Sequence, residues 1–369
     1  MTIEPRLLEA LSRVQDPELR RPITELGMVD SATLSNGTAQ VRVLLTIAGC
    51  PMRSTIEADV DAALRAMSEV QHVELTLGVM SPEQRAELRE SLLSRSIPFS
   101  DPASLTRVIS IASGKGGVGK SSLTANLACA MAADGLRVGL IDADVHGFSI
   151  PGLLGIPHAS PTRVDEMILP PVAHGVKVIS IGMFVPDNKP VIWRGPMLHR
   201  ALEQFLTDVH FGDLDVLLLD LPPGTGDIAI SVSQLLPGSE LVVITTPQAA
   251  AAQVAERAGS IAVSTGQKVI GVIENMSWLQ LPDGSTMEVF GSGGGVELAH
   301  RLELVLGTEV PLLGQVALDP MLRAGGDEGL PLVISHPQAP AALQITAIAR
   351  ALTHRPRGLA GRPLGVSPR

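Results

Sequence analysis

The feature that most constrains this chain is residues 114–121, which read Gly-Lys-Gly-Gly-Val-Gly-Lys-Ser and match the pattern G-x-x-x-x-G-K-[ST]. The apolar run 108–112 precedes this segment, and apolar residues at helical spacing follow it. Glycines let backbone N–H groups turn inward onto a phosphate, and the N-terminus of a helix adds partial positive charge. The segment therefore predicts a phosphate-binding loop between a strand and a helix, the alternative being an ordinary glycine turn.

The side chains of this loop predict a site for a magnesium nucleotide. Lys120 is expected to reach the β- and γ-phosphates, and Ser121 is expected to ligate Mg²⁺. Two of the five lysines in the whole chain, Lys115 and Lys120, lie in this one loop. The predicted nucleotide-binding set here is Gly114, Lys115, Gly116, Gly117, Val118, Gly119, Lys120, Ser121 and Ser122.

A carboxylate follows the apolar run 216–219. Asp220 is placed where a carboxylate can hold the coordination shell of Mg²⁺ in a phosphate-loop protein. The segment 222–227, Pro-Pro-Gly-Thr-Gly-Asp, predicts a shaped loop that senses the γ-phosphate. The alternative for Asp220 is a carboxylate that only caps a helix or stabilises a turn.

Two more carboxylates, Asp142 and Asp144, follow the apolar run 138–141. Either residue is placed to orient an attacking water and the metal. Both can instead accept hydrogen bonds within a turn, and this alternative weighs more for Asp142. The predicted catalytic residues are Lys120, Asp144 and Asp220.

Six short apolar runs, separated by helical stretches, predict the fold of most of the chain. They are 108–112, 138–141, 178–181, 216–219, 241–244 and 269–273. Strands buried on both faces and alternating with helices indicate an α/β fold with a doubly wound, mainly parallel sheet. Such sheets bind their ligands at the carboxyl ends of the strands, which is where the loop and the carboxylates fall.

The beginning of the chain has a different pattern, which predicts a small α+β domain at residues 1–93. Ser81-Pro82-Glu83-Gln84 places a hydroxyl, a proline and an amide where a capping box begins a helix. Pro98 and Pro102 indicate a linker at 94–104, ahead of an α/β domain at 105–353. The segment 354–369 is rich in Pro, Gly and Arg and predicts a disordered tail.

Composition narrows the expected surroundings and partners. A net charge of -10 disfavours general binding to nucleic acid or to anionic lipid. The apolar runs are far shorter than the ~20 residues that span a bilayer, and the first residues lack the apolar region of a signal peptide. We therefore expect a cytoplasmic protein without membrane or nucleic-acid partners. The chain has two cysteines, Cys50 and Cys129, too few for a disulfide framework or a four-cysteine metal site.

Several motifs make the chain similar to known families. Residues 115–121 resemble the deviant Walker A loop of MinD/ParA ATPases, in which the first lysine reaches the nucleotide of the partner subunit. The motifs WRGPM at 193–197, DLPPGTGD at 220–227 and ENMS at 274–277 resemble the Mrp/ApbC family of iron–sulfur cluster carriers. This resemblance extends over residues 105 to about 350.

The first domain carries a resemblance of its own. With Asp16-Pro17-Glu18 and the segment TIAGCP at 46–51, it resembles the small domain that is fused to bacterial Mrp proteins and occurs in other iron–sulfur assembly factors. Together the resemblances imply a homodimer that binds MgATP, hydrolyses it slowly and delivers iron–sulfur clusters to apoproteins, in company with iron–sulfur assembly proteins. They also imply that Lys115 contacts the partner's nucleotide, that Asn275 contacts the adenine and that Asp144 serves the hydrolytic water.

One departure from the family concerns the cluster ligands. Members carry Cys-x-x-Cys shortly after the Asn-Met-Ser segment, and this chain has Leu281 and Gly284 at those positions. Neither residue can donate a ligand to iron. Cys50, before Pro51 at a predicted helix entrance, is the candidate ligand, the alternative being a packing residue. The missing cysteines favour a competing function, a nucleotide-gated dimeric scaffold or positioning ATPase that carries no cluster.

Two weaker features also have alternatives. The glycine run at 291–295 is either a second anion-binding turn or a flexible entrance to a helix, and the second interpretation is favoured. Cys129 lies on the helix that follows the phosphate loop and is expected to be a core residue.

Overall fold

The chain forms two compact units. This computed structural model describes residues 3–19, 21–47, 52–92, 97–101, 103–144, 147–165, 167–184, 195–224, 227–248, 257 and 262–354. The candidate ligand Cys50, the residues Trp193 and Arg194, and the predicted tail beyond His354 lie outside the described residues.

The first unit contains a three-stranded sheet from the N-terminal part of the chain. Its strands are β1 (Val29–Ser35), β2 (Thr38–Leu45) and β3 (His72–Val79), paired in that order. β1 and β2 are antiparallel, whereas β2 and β3 are parallel. The helices are α1 (Pro5–Leu11), α2 (Arg53–Arg65) and α3 (Pro82–Leu92). The sheet and the apolar faces of α1 and α2 enclose the core of this unit.

α3 begins with the capping box that the sequence predicts. The backbone N–H of Gln84 donates to Ser81 Oγ at 3.2 Å, and the backbone N–H of Ser81 donates to Gln84 Oε1 at 2.8 Å. Each side chain thus satisfies a backbone donor that has no partner within the helix. This prediction is confirmed.

Two later segments complete the first unit, and they differ from the expected division of the chain. Residues 161–171 and 207–212 belong to this unit, although the domain boundaries predicted from the sequence assign them to the α/β domain at 105–353. The first segment forms a hairpin of β6 (Thr162–Val164) and β7 (Met167–Leu169), whose apolar side chains join the core. Strands of three residues carry almost no periodicity, so the pattern of the sequence could not show this insertion.

The second unit contains the eight-stranded sheet that carries the phosphate loop. Its strands are β4 (Arg107–Ser113), β5 (Val138–Asp142), β8 (Val172–Ala173), β9 (Val176–Ser180), β10 (Val216–Asp220), β11 (Glu240–Thr245), β12 (Lys268–Asn275) and β15 (Leu312–Val316). The order is β15-β12-β11-β4-β10-β5-β9-β8, and only the edge strand β8 runs antiparallel to its neighbour. Five of the six predicted apolar runs lie entirely within one of these strands, and the run 178–181 extends one residue beyond the end of β9. The predicted α/β fold is confirmed.

Helices cover the second unit and provide the loops at the strand ends. They are α4 (Lys120–Ala133), α5 (Ile150–Leu153), α6 (Gly195–Thr207, whose last residue belongs to the first unit), α7 (Asp227–Leu235), α8 (Gly294–Leu306), α9 (Pro320–Glu328), α10 (Leu332–Ser335) and α11 (Pro340–Thr353). A short hairpin of β13 (Leu279–Gln280) and β14 (Thr286–Met287) precedes α8. Within the described ranges, no helix combines the length and the hydrophobicity that crossing a membrane requires.

Candidate nucleotide-binding site

The predicted phosphate loop joins β4 to α4 at the carboxyl edge of the sheet. β4 ends at Ser113 and α4 begins at Lys120, so residues 114–119 form the turn between them. Gly117 and Gly119 have φ values of 78° and 77°, a left-handed conformation that residues with a Cβ rarely adopt. Gly119 is required for a second reason besides its backbone conformation, because a Cβ added there would collide with the side-chain amide nitrogen of Asn275.

A cleft of about 220 Å³ opens over this loop. Its lining consists of Ser113, Gly116, Gly117, Val118, Gly119, Lys120, Ser121, Ser122, Asp144, Ser149, Leu153 and Pro223. Most of the predicted nucleotide-binding residues therefore lie in one cavity. Gly114 and Lys115 are outside this lining, and Asn275 lines an adjoining cleft.

Asp220 is the centre of the polar contacts beneath the loop. Its side chain has no exposed surface, and the Lys120 Nζ lies 2.7 Å from its Oδ2. Ser121 Oγ donates to the same Oδ2 at 2.6 Å, and Thr124 Oγ1 lies 2.8 Å from Oδ1. The carboxylate therefore touches the lysine expected at the phosphates and the serine expected at Mg²⁺. A hydroxyl held in this way keeps its lone pairs directed away from Asp220, as a magnesium ligand requires.

Thr124 is a member of this cluster that sequence reasoning missed. Its hydroxyl also lies 2.9 Å from the carbonyl oxygen of Lys120, one helical turn earlier. Thr124 follows Lys120 by four residues and Ser121 by three, so the three side chains share one face of α4. This spacing is the signal in the sequence that could have identified Thr124.

Asp142 and Asp144 have different environments. Asp142 pairs with Asp220 across the neighbouring strands β5 and β10, and it accepts hydrogen bonds from Ser180 Oγ at 3.0 Å and from the backbone N–H of Asp144 at 3.2 Å. Burial, followed by the negative charge of Asp220, raises the pKa of Asp142 to about 7. Asp142 thus has the turn-stabilising contacts of its alternative interpretation, whereas Asp144 lies in the lining of the phosphate cleft.

Asn275 joins the end of β12 to the phosphate loop. Its Nδ2 donates to the carbonyl oxygen of Val118 at 2.9 Å. Its Oδ1 is buried and has no hydrogen-bond partner among the described residues. The amide orientation follows from this contact, because the carbonyl of Val118 requires a donor.

The cleft beside Asn275 has a volume of about 230 Å³ and a mostly apolar wall. It is lined by Gly119, Ser122, Leu153, Asn275, Met276, Ala317, Leu318, Asp319, Leu322, Arg323, Gly326 and Asp327. It shares Gly119, Ser122 and Leu153 with the phosphate cleft. A largely apolar cleft beside a phosphate loop suits the burial of a nucleobase.

The glycine run at 291–295 leads into a helix, which agrees with the interpretation favoured from the sequence, an entrance to a helix. α8 begins at Gly294 behind an N-cap, Gly293, in the left-handed conformation. The anion at this helix end comes from the chain itself, because the backbone N–H of Gly295 donates to Glu274 Oε2 at 2.6 Å.

The first residues of the phosphate loop contact the region after β11. Lys115 Nζ donates to Gln248 Oε1 at 2.6 Å at the surface, and Arg257 donates to the carbonyl oxygen of Gly114 at 3.0 Å. In this single chain Lys115 therefore points to Gln248 and not into the phosphate cleft.

The positions of the family's Cys-x-x-Cys form a tight turn. The backbone N–H of Leu281 donates to the carbonyl oxygen of Ser285 at 2.8 Å, and that of Gly284 donates to the carbonyl oxygen of Leu281 at 2.9 Å. The described residues contain no group of three or more His, Cys, Asp or Glu side chains placed to hold a metal ion. Cys129 is buried on α4 as expected, and burial raises the pKa of its thiol to about 12.

The phosphate loop, the Asp220 cluster and the adjoining slot define a nucleotide-binding P-loop protein on a doubly wound sheet. Comparison with known families makes the class narrower. Residues 104–353 match the family described as NUBPL iron-transfer P-loop NTPase, and residues 4–75 match the family described as iron-sulfur cluster assembly protein. The chain belongs to the NUBPL iron-transfer P-loop NTPase family, and the resemblance seen in the sequence motifs is confirmed.

Curated relatives cover nearly the whole chain. Proteins named iron-sulfur cluster carrier protein from Mycobacterium tuberculosis and Mycobacterium bovis are 59% identical over 364 residues, which cover 97% of this chain and 95% of each relative. A protein of the same name from Deinococcus radiodurans is 42% identical over 348 residues, covering 94% of this chain and 93% of the relative. These names favour the carrier over the positioning ATPase that the sequence left as an alternative.

A solved structure is also similar. It is described as the nucleotide-binding protein in complex with ADP from Archaeoglobus fulgidus, and it is 34% identical to this chain with a TM-score of 0.53. The match covers 62% of this chain and 92% of that one.

Proposed function

We propose that this protein is an ATP-hydrolysing carrier that delivers iron–sulfur clusters to apoproteins. The cargo is supported by the relatives named as carriers, because the similarity at 59% identity extends over both the small domain and the ATPase domain. The observation that carries the nucleotide chemistry is the Asp220 cluster, in which one buried carboxylate contacts both Lys120 and Ser121.

In this proposal the loop residues divide the work on MgATP. Backbone N–H groups of residues 114–122 and the N-terminus of α4 bind the phosphates, and Lys120 leaves Asp220 to contact the β- and γ-phosphates. Ser121 would ligate Mg²⁺ through an oxygen lone pair while its hydroxyl proton stays hydrogen-bonded to Asp220, so that Asp220 orients the ligand from the outer shell. Asp144, at the wall of the phosphate cleft, orients the hydrolytic water.

Asn275 gives the site its preference for adenine. Because Nδ2 is engaged by Val118, the free Oδ1 presents an acceptor to the base. The 6-amino group of adenine can donate to this oxygen, whereas the 6-oxo group of guanine would place two acceptors together. We expect ATP to bind more tightly than GTP for this reason.

The switch acts through a homodimer. Lys115, which contacts Gln248 in the single chain, would turn to the nucleotide of the partner subunit when two subunits close on ATP. Turnover of such a switch is slow, and its clients are apoproteins and other iron–sulfur assembly proteins. We place the protein in the cytoplasm, because its two cysteines provide no disulfide framework of the kind that small extracellular proteins carry.

One observation favours a second candidate function, a nucleotide-gated scaffold that carries no cluster. Leu281 and Gly284 occupy the turn where the family carries two cysteines, so that turn supplies no thiolate to a cluster. A nucleotide-gated scaffold would need no such ligands. In the carrier, Cys50 is the proposed ligand, since Cys129 is buried and its thiol stays protonated.

The proposal is tested by anaerobic reconstitution with iron and sulfide, with wild type, Lys120→Ala and Cys50→Ser compared. Wild type should bind iron and sulfide in a fixed ratio per dimer and hydrolyse ATP, Lys120→Ala should lose hydrolysis, and Cys50→Ser should lose the cluster while it keeps hydrolysis. Hydrolysis without bound iron would replace the carrier by the scaffold. Normal turnover in Lys120→Ala would refute the assigned nucleotide site.

A further inference from the structure

Glu274 is a buried carboxylate that the nucleotide chemistry above does not use. It lies at the carboxyl end of β12, one residue before Asn275, and has no exposed surface. Three neutral donors surround it. Ser277 Oγ and Gln315 Nε2 donate to Oε1 at 2.8 Å and 2.7 Å, and the backbone N–H of Gly295 donates to Oε2 at 2.6 Å.

These donors come from separate elements that meet beside the base cleft. Ser277 leads from β12 towards the β13–β14 hairpin, Gln315 lies on β15, and Gly295 lies in the first turn of α8. The end of a helix is a favourable place for a carboxylate, because its first N–H groups have no partner within the helix. Glu274 therefore ties two strands and a helix to one point.

The end of α8 fits so closely that it leaves Glu274 little freedom. A Cβ added to Gly295 would lie 2.7 Å from the Cβ of Glu274, and one added to Gly294 would lie 2.6 Å from the carbonyl oxygen of Thr246. Both distances are below normal van der Waals contact. The helix end is wedged between the ends of β11 and β12, and the carboxylate holds it there.

We propose that Glu274 is a positioning residue for nucleobase recognition. By holding residues 274–277, it fixes the direction in which the free Oδ1 of Asn275 meets the base. Met276, which also lines the base cleft, has a φ of 60°, so this turn needs outside support to keep a conformation that methionine rarely adopts. The inference rests on the proposed binding of ATP, and it adds the residue that sets base selectivity.

The test compares two replacements of similar length. Glu274→Met fills the space without any acceptor, and Glu274→Gln keeps an oxygen for the N–H of Gly295 while Ser277 and Gln315 can rotate their own groups. We expect Glu274→Met to weaken ATP binding about 10-fold, since unsatisfied buried donors displace the turn. GTP binding should change little, and Glu274→Gln should recover most of the loss.

The measurement is calorimetric titration of the full chain with ATP and with GTP. Glu297→Gln is the matched control, because Glu297 is an exposed carboxylate on α8 that pairs with Arg301, and its removal should leave both affinities unchanged. A purely structural role would weaken both nucleotides equally. Equal losses for ATP and GTP, or no loss in Glu274→Met, would overturn the proposal.

A double-mutant comparison shows whether Glu274 acts through its neighbour. In an Asn275→Ala background, Glu274→Met should no longer change the ratio of ATP to GTP affinity. A ratio that still changes would contradict the positioning role. If Glu274→Met does not fold, Ser277→Ala removes one donor and should shift the same ratio about threefold. Failure of the wild type to bind ATP would instead refute the proposed function, so the two failures are distinguishable.

Discussion

Thr124 allows the Asp220 cluster to be tested without a change to any residue expected at the phosphates. Its hydroxyl lies between Asp220 Oδ1 and the carbonyl oxygen of Lys120, and the residue has no exposed surface. Thr124→Val replaces the hydroxyl by a methyl group of nearly the same size. Thr124→Ser keeps the hydroxyl and removes a methyl group. The pair therefore separates the hydrogen bond from the packing.

The expected magnitudes follow from these contacts. Thr124→Val leaves Asp220 Oδ1 without a donor that the buried carboxylate now has, and a hydrogen bond to a charged group contributes about 1.5–3 kcal/mol to stability. Thr124→Ser loses about 1 kcal/mol through the missing methyl group. We therefore expect the valine variant to be less stable than the serine variant by about 0.5–2 kcal/mol, the difference of these two terms.

Urea denaturation followed by tryptophan fluorescence measures this difference. Trp278 follows β12 in the second unit, so its fluorescence reports the unfolding of the unit that contains Thr124. The unfolding free energies of the two variants should be compared at equal slopes. If the serine variant is as unstable as the valine variant, the hydroxyl contributes nothing to holding Asp220, and Thr124 is not part of the polar cluster.

Two further predictions concern the first unit and the buried thiol. Met167→Ala should destabilise the first unit by about 2–5 kcal/mol, because the lost side chain of the inserted hairpin would leave a cavity in the core. The rate of hydrogen exchange in β1–β3 should rise while ATP affinity stays constant. An unchanged exchange rate would contradict the packing of the hairpin into this core. Cys129 should resist alkylation in the native protein at pH 8, since a thiol with a pKa of about 12 is ionised in roughly one molecule in 10⁴ at that pH. Mass spectrometry should find rapid labelling of Cys129 only after denaturation. Rapid labelling of the native protein would show that the thiol is accessible.

The sheet of the second unit was predictable because its signals are local. Each central strand is a continuous apolar run, and a strand buried on both faces needs no partner to be recognised. The order of the phosphate loop after β4 and before α4 likewise follows from adjacent residues. The edge strands β8 and β15 were missed, since β8 has two residues and β15 is only partly buried.

The contacts that shape the site were harder to predict because they join distant residues. Glu274 and Gly295 are 21 positions apart, and Thr124 and Asp220 are 96 apart. Neither pair has a spacing that one helix or strand repeats, so periodicity contains no information about it. The glycine run at 291–295 indicated a helix entrance. The carboxylate that its backbone N–H contacts, Glu274, could be identified only once the structure brought β12 and α8 together.

Cluster carriage by this chain is limited by the number of its thiolates. The turn at Leu281 and Gly284 provides none, and Cys129 is buried and protonated. A homodimer of the proposed carrier therefore offers two thiolates, one Cys50 from each subunit, whereas [2Fe–2S] and [4Fe–4S] clusters take four. In this proposal the other ligands come from small thiols or from the cysteines of a client. A cluster held half by exchangeable ligands is transferred when a client's thiolates replace them, so the shortage of cysteines favours delivery over storage.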